Sequence, residues 1–466
     1  MQTSVVNYKE LNFEIRIDAE YHRAEVLENI HLLDKKRNDV LQNLASFIIG
    51  PFGSTVTVDQ YVEKSRFRYI RNKDINDFLV YDDEPALISE DVYKKLPQFH
   101  IKENDLLITV VGTLGKVAIA QKKDTQSIFS CKSTLIRAKN IDPFYLMTYL
   151  NSRIGQLFVL RGTRGAIQQG LNLSDLKEIK AFIPSDDFQG EVRNIICQSF
   201  DLINKASALY SQAEQILLAE LNLASWKPKH RLSFVKNYSN AQDASRIDAE
   251  YFQPMYEEVV KELCKYKNDY GLLGDLVNVK DKNFNPKDDV VYKYIELANI
   301  STNGNISGFT EEMGKDLPTR ARRKVNSGDV IVSSIEGSLE SIALIQGSLS
   351  NALCSTGFYV VNSRSLNSET LLVFLKSSAG QLQLKKGCSG TILTAISKDE
   401  LARLIIPKID EKAQKEIKAK IEEMYQAKAL SNNLLDIAKR GVEMAIEKDE
   451  KAAEKWVNEA VKKAEG

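Results

Sequence analysis

The side chains whose types and spacing suit chemistry are clusters of Arg and Lys, and the chemistry they suit is binding of phosphate. Lys64, Arg66, Arg68, Arg71 and Lys73 bracket Phe67 and Tyr69. Alternation along a strand puts Arg66 and Arg68 on one face and the two aromatics on the other. Arg161 and Arg164 sit in a glycine-flanked loop that continues through Gln168 and Gln169. Arg320, Arg322, Arg323 and Lys324 form a dense run, and Lys385-Lys386 stands later in the chain. Such groups suit contact with a nucleic-acid backbone, with a few Arg reaching guanine edges and Gln reading adenine bidentately. The competing reading is solvated surface charge and a polar loop making its own turn, which is what most charge runs are.

Other motifs carry less. Asp142-Pro143-Phe144-Tyr145 is similar to the D-P-P-Y loop of adenine methyltransferases, but the companion glycine-rich cofactor strand is missing. A helix start fits better, with Asp142 as N-cap and Pro143 at the first helical position. Gly112-Thr113-Leu114-Gly115-Lys116 has the wrong spacing for a phosphate loop, so a tight turn between strands is the plainer reading. Four His and five Cys are scattered without metal-ligand spacing and without a CxxC pair. Reduced thiols in a cytoplasmic protein follow, with no signal segment and no membrane span. No nucleophile–base pairing emerges, so the chain reads as a binding protein and not an enzyme. Acidic and basic residues balance at 63 each, so net charge says nothing about partners.

The positioning elements are mixed. Residues 68–75 (RYIRNKDI) and 293–300 (KYIELANI) read as strands running into turns. Residues 106–111 and 330–334 are short β-rich apolar runs, and 143–151 and 368–377 read as short helices. Each half of the chain is therefore α+β, with a largely antiparallel sheet expected.

An internal repeat organises these elements. RIDAEY stands at 16–21 and again at 246–251, 230 residues later. DLLITVVGTLGKVAIA (105–120) is echoed by DVIVSSIEGSLESIALI (329–345), and Gly155-Gln156-Leu157 by Gly380-Gln381-Leu382. RGTRGAI (161–167) returns as KGCSGTI (386–392), and LSDLKEIKAFIP (173–184) as ISKDELARLIIP (396–407). Order is kept throughout, which means duplication of a whole domain. The second copy puts Lys386 where the first has Arg161, and Ile392-Leu393-Thr394 in place of the Gln loop. The framework is kept and the exposed loops vary.

A long amphipathic helix follows each copy. In residues 188–226, Ile195, Leu202, Leu209, Ile216 and Leu223 recur every seven residues, with Val192, Ala206 and Ala213 between them. About 35 residues at ~1.5 Å each make a rod of roughly 50 Å. Past Pro407, Ile417, Ile421, Met424, Leu430, Leu434 and Ile437 keep helical spacing up to Ile446. Two such helices can lie antiparallel and bury each other's seams. The charged tail 447–466 is helix-prone, and Trp456 is its docking residue. The expected boundaries are 1–186 and 236–408 for the two α+β domains, 187–235 for the first helix, and 409–466 for the second helix with the tail.

In this order, repeated twice, the motifs resemble the specificity subunits of type I restriction–modification systems. The residues carrying the resemblance are both RIDAEY copies, YIRNKDI, DLLITVVGTLGKVAI, GAIQQGLNLSDLKEIKAFIP and ISKDELARLIIPKI. The resemblance covers nearly the whole chain. It implies two target-recognition domains related by a pseudo-twofold repeat and joined by an antiparallel coiled coil of the two helices. It also implies a non-catalytic subunit that reads a bipartite sequence in double-stranded DNA, one half-site per domain. Two methyltransferase subunits would supply S-adenosylmethionine and methyl transfer, and restriction subunits would supply ATP- and Mg-dependent translocation and cleavage; this chain itself would need no cofactor. The second copy departs from the pattern: it has KYIELANI and lacks the Gly-Lys of GTLGK, so recognition residues do not carry over one by one. A coiled-coil adaptor that binds protein, a fused nuclease–methyltransferase partner, and an orphan or decoy subunit stay open at this point.

Overall fold

The computed structural model describes residues 16–81, 84–165, 169–301, 304–363, 365–390 and 394–465. The chain divides into two compact units, 1–203 with 428–466, and 204–427.

The first unit is built on a five-stranded sheet in the order Ala45–Ile49, Ser133–Ala138, Leu106–Thr109, Val117–Ile119 and Phe78–Leu79. All its pairings are antiparallel except the last. Leu106–Thr109 is an unbroken buried run because both sheet faces are covered. Leu106, Ile108 and Ile136 join the core that contains helix Pro143–Asn151, while Leu107 and Leu135 face a second core with Ile70 and Phe129. The period-two alternation of the strand thus feeds two separate cores. A three-stranded sheet places Phe67–Ile70 between Ala86–Ile88, antiparallel, and Ser127–Phe129, parallel. Two short antiparallel pairs complete the unit: Asn38–Val40 with Lys180–Phe182, and Thr163–Arg164 with Gly170–Leu171.

The second unit repeats this plan. Val277–Lys280, Phe358–Ser363, Val330–Ser333 and Ile342–Leu344 form an antiparallel sheet in the order of their counterparts. A second sheet again contains one parallel pairing, Val291–Ile295 with Leu353–Ser355, flanked by Thr310–Met313 and Ala321–Lys324. Tyr270–Leu272 with Ile405–Pro407, and Cys388–Ser389 with Ala395–Ile396, fall where the repeat places them. The expected α+β class and internal repeat are therefore present at the level of strand order.

Local sequence sets the short helices. Asp142 accepts hydrogen bonds from the Phe144 and Tyr145 amides at 2.8 and 3.1 Å, capping Pro143–Asn151. Asn367 does the same for Ser368–Lys376 through the Thr370 amide. Ser152 and Ser377 cap the following helices, Arg153–Arg161 and Ser378–Lys386.

The long helices run Asp186–Glu220 and Glu411–Glu447. Within the first unit their segments pack antiparallel: the Ser199 and Ser431 hydroxyls meet at 2.7 Å, and Ser185 bonds Glu450. Phe188, Val192, Ile195 and Ile196 share one core there with Leu434, Ala438, Val442 and Ala445. Within the second unit Lys205 pairs with Glu423 at 2.8 Å, and Tyr266 links Glu220 to the backbone at Asp410. That order is antiparallel as well. Ala206, Leu209, Ala213, Ile417, Ile421 and Met424 are buried.

The first helix stops at Glu220, short of the expected Trp226. Asn222 adopts the left-handed conformation (φ 57°), and the Leu223 amide reaches back to the Leu218 carbonyl at 2.7 Å. This is a helix-terminating turn with Asn in the place usually held by Gly. Its seam also drifts, so that Leu217 is the fully buried residue where Ile216 was expected. A straight 3.6-residue helix departs from a strict heptad in this way. The tail forms a separate helix, Glu450–Glu465, held chiefly by buried Ala453 and Val457, with Trp456 half-buried against the same core. Among the described residues no helix is long and apolar enough to cross a membrane.

Candidate nucleic-acid interface

The two RIDAEY copies fold identically. Arg16 Nε donates to Asp18 Oδ2 at 2.8 Å, and Arg246 Nε to Asp248 Oδ2 at 2.8 Å. The second carboxylate oxygen accepts the Tyr21 or Tyr251 amide at 3.0 Å. The guanidinium lies 4.4 Å from the Tyr21 ring in one copy and 4.2 Å from the Tyr251 ring in the other. Arg16 then reaches the Arg161 and Thr163 carbonyls, and Arg246 the Cys388 carbonyl. The motif therefore ties the chain to the base of the RGTRGAI and KGCSGTI loops. The Arg hydrogen bond holds the Asp18 and Asp248 carboxyls below the usual aspartate range.

These loops carry several of the expected DNA-contacting residues. Gly165 and Gly390 turn each loop at positive φ, 100° and 131°. Arg164 makes a two-pronged pair with Asp175 at 2.9 and 2.7 Å, and the Asp175 side chain is only 6% exposed. Arg161 stacks on Tyr21 at 3.7 Å and donates to the Tyr21 carbonyl. Burial lowers the Arg161 pKa and raises that of Tyr21. Arg161, Arg164 and Gln169 line one cleft of about 840 Å³ in the first unit, together with Arg16, Arg23 and the acidic Asp18 and Glu20. Gln169 is exposed, whereas Gln168 lies outside the described residues. In the second unit Lys385 pairs with Glu250 at 3.0 Å. Lys386 lies 5.4 Å from the Tyr251 ring, and burial lowers its pKa.

The cluster around Phe67 divides between inside and outside. Phe67–Ile70 is the middle strand of three and every residue in it is buried. The solvent face expected for Arg68 therefore does not exist. Its guanidinium donates to the Tyr81 carbonyl and lies 3.8 and 3.7 Å from Asp74 and Asp124. Arg71 is held by Asp74 at 3.0 and 3.1 Å and by the Glu84 carbonyl. Arg66, just before the strand, is exposed, 3.6 Å from Glu90 and stacked on Phe67 at 4.9 Å. Lys73 is also exposed and pairs with Glu84 at 2.9 Å, which lowers the Glu84 pKa. Lys64, Arg66 and Lys73 are outward cations here.

The 320–324 run lies along strand Ala321–Lys324. Arg320 and Lys324 are exposed. Arg322 bonds the Thr319 carbonyl and Asn285 Oδ1, each at 3.2 Å. Arg323 is half-buried, and Lys324 lies 5.4 Å from the Phe284 ring. Lys132 was not anticipated. It is exposed, in the turn between Ser127–Phe129 and Ser133–Ala138, and pairs with no carboxylate among the described residues. A single Lys in a short connection carries no sequence signal.

The GTLGK segment is a tight turn, with Gly112 and Gly115 at φ 84° and 77°. The Gly-Gln-Leu repeat has an architectural cause. A Cβ on Gly155 would lie 1.9 Å from the Tyr149 carbonyl oxygen, and one on Gly380 2.3 Å from that of Phe374. Gln156 and Gln381 each donate to the carbonyl of the preceding helix and to that of the facing turn.

Residues 50–210 match a family model described as the type I restriction modification DNA specificity domain. Over 165 residues the chain is 27% identical to the type I restriction enzyme EcoBI specificity subunit of Escherichia coli. That match covers 34% of this chain and 35% of the relative, so it spans about a third of the relative's length. Among solved structures, the S subunit of a type I restriction–modification system from M. genitalium aligns over 90% of this chain and 95% of its own, at 12% identity and a TM-score of 0.36. The HsdS subunit from Thermoanaerobacter tengcongensis aligns over 89% and 97%, at 15% identity and a TM-score of 0.29.

Proposed function

We propose that this chain, whose residues 50–210 match the type I restriction modification DNA specificity domain, is the specificity subunit of such a system and reads a bipartite target in double-stranded DNA. The observation carrying this reading is the family match in the first unit, combined with the same strand order in the second. Two units with one framework and different loops suit two different half-sites. The loop that runs from RGTRGAI to Gln169 offers an Arg-lined cleft, while its counterpart, KGCSGTI, runs on to Leu393-Thr394. Outward cations, Arg66, Lys73, Lys132, Arg320 and Lys324, serve phosphate contacts that position each unit without reading sequence. The chain contributes recognition and no catalytic group. Two methyltransferase subunits bring S-adenosylmethionine, and restriction subunits bring ATP- and Mg-dependent cleavage, in the cytoplasm.

A methylation map tests this. The chain is co-expressed with the methyltransferase encoded beside it, and N6-methyladenine is located across the host genome by long-read sequencing, with and without the chain. A split motif with a fixed gap that appears only with the chain is the expected result. Methylation that ignores the chain, or a continuous motif, overturns the proposal.

A further inference from the structure

Phe52 is 87% exposed. Gly50 lies flat on the neighbouring turn: a Cβ there would meet the Ser130 carbonyl oxygen at 2.1 Å and the Cys131 amide at 2.9 Å. Gly53 approaches the same residue, with Cys131 Sγ 3.6 Å from its would-be Cβ. The Thr55 amide closes the turn onto the Phe52 carbonyl at 2.8 Å, and Pro51 fixes one more dihedral. The close approach of Gly50 to the 130–131 turn and the Phe52–Thr55 bond thus set the turn that carries the exposed ring. Beside Cys131 stands Lys132, exposed and without a carboxylate partner among the described residues. The Ser130 amide bonds the Ile70 carbonyl at 3.0 Å, so this turn adjoins the end of the strand that leads into Arg71 and Lys73.

The second unit has a half-buried residue of the same type at this place. Counting from the paired first strands, Phe284 occupies the place of Phe52. Its amide donates to the Arg322 carbonyl at 2.7 Å, and its ring packs 5.9 Å from Tyr292 and 5.4 Å from Lys324. One unit half-buries this aromatic against Tyr292, and the other presents it on a hydrogen-bonded turn beside Lys132, which has no carboxylate partner among the described residues. A rigid apolar side chain next to a phosphate-seeking cation is the arrangement by which proteins part a base step and kink a duplex.

We infer that Phe52 is a wedge: it enters a base step of the half-site read by the first unit, with Lys132 on the adjoining phosphate. The inference rests on the DNA-reading proposal above and adds a deformation of the target. The test uses the chain in complex with its methyltransferase, on duplexes carrying the mapped motif with 2-aminopurine placed at successive positions. The wild-type complex should raise 2-aminopurine fluorescence at one step in the first unit's half-site and bend the duplex, read by end-to-end energy transfer. F52A should abolish both signals and weaken binding roughly tenfold. F52L should restore them in part, since Leu also serves as a wedge, and F284A should leave them unchanged. F52A that unstacks and bends the duplex like wild type overturns the wedge and leaves DNA reading intact. Wild-type complex that shows no preference for the motif overturns DNA reading and the wedge together.

Discussion

Arg66 and Arg68 are two residues apart and have opposite roles. Arg68 is buried with Asp74 and Asp124, whose side chains are 7% and 2% exposed. Removing it takes a buried cation from beside Asp74, which keeps Arg71, and from beside Asp124, so Arg68→Ala should cost about 3 kcal/mol in denaturant unfolding. Arg66→Ala should stay within about 0.5 kcal/mol of wild type in the same measurement. In the assembled complex it should instead weaken binding to all sequences alike and reduce the salt slope by about one. The reverse pattern would remove Arg66 from the interface. The RIDAEY carboxylates give a pH prediction. Asp18 and Asp248 have lowered pKa values in the folded chain, chiefly through the Arg16 and Arg246 hydrogen bonds. Their contribution to stability is complete above the ordinary aspartate pKa of about 4 and is lost as pH falls through the lowered values. A chain with Arg16→Ala and Arg246→Ala should therefore show a flatter fall in melting temperature between about pH 5 and 3 than wild type. Parallel melting curves for the two chains across that window would count against this.

At the scale of elements, glycines separate close approach from mere presence. Gly155 and Gly380 lie in the first turn of the second of two consecutive helices, where any Cβ would collide with a backbone carbonyl of the first. Gly155→Ala should destabilise by at least the ~1–3 kcal/mol typical of overpacking, and fail to fold if the junction cannot yield. Gly190 lies in helix Asp186–Glu220 with nothing within 4 Å of a Cβ. Gly190→Ala should stabilise by roughly 0.5–1 kcal/mol through helix propensity alone. Urea unfolding of the two variants decides both statements. The sequence made these elements legible wherever the signal was local. The Asp142 and Asn367 caps, the GTLGK turn and the repeated Gly-Gln-Leu all reappear as structure. The end of the first long helix did not, because Asn222 in a left-handed conformation terminates it without Gly or Pro.

At the scale of the molecule, duplication is the organising fact. Each unit has its own sheets, its own RIDAEY anchor and its own segment of paired long helices. Replacing residues 277–396 with the corresponding stretch of a relative of different target should change one half-site and leave the other as it was. Methylation mapping of the chimera checks this, and a change in both halves would show that the units do not read separately. Arg164 illustrates why candidate contacts are less legible than the repeat. Its loop is recognisable from spacing, but its carboxylate partner, Asp175, comes from the next helix, Leu173–Lys177.

The amino-acid sequence by itself determined the two-copy organisation, the α+β class, the helix caps and the paired amphipathic helices. These follow from periodicity and from contacts between near neighbours, which any order-preserving duplication repeats. Only the tertiary structure decided which cations face solvent. That depends on which strand lies in the middle of a sheet and where distant carboxylates arrive, as Asp124 does at Arg68. It also decided that Phe52 stands out while Phe284 lies against Tyr292, since exposure of a ring is a property of what folds against it.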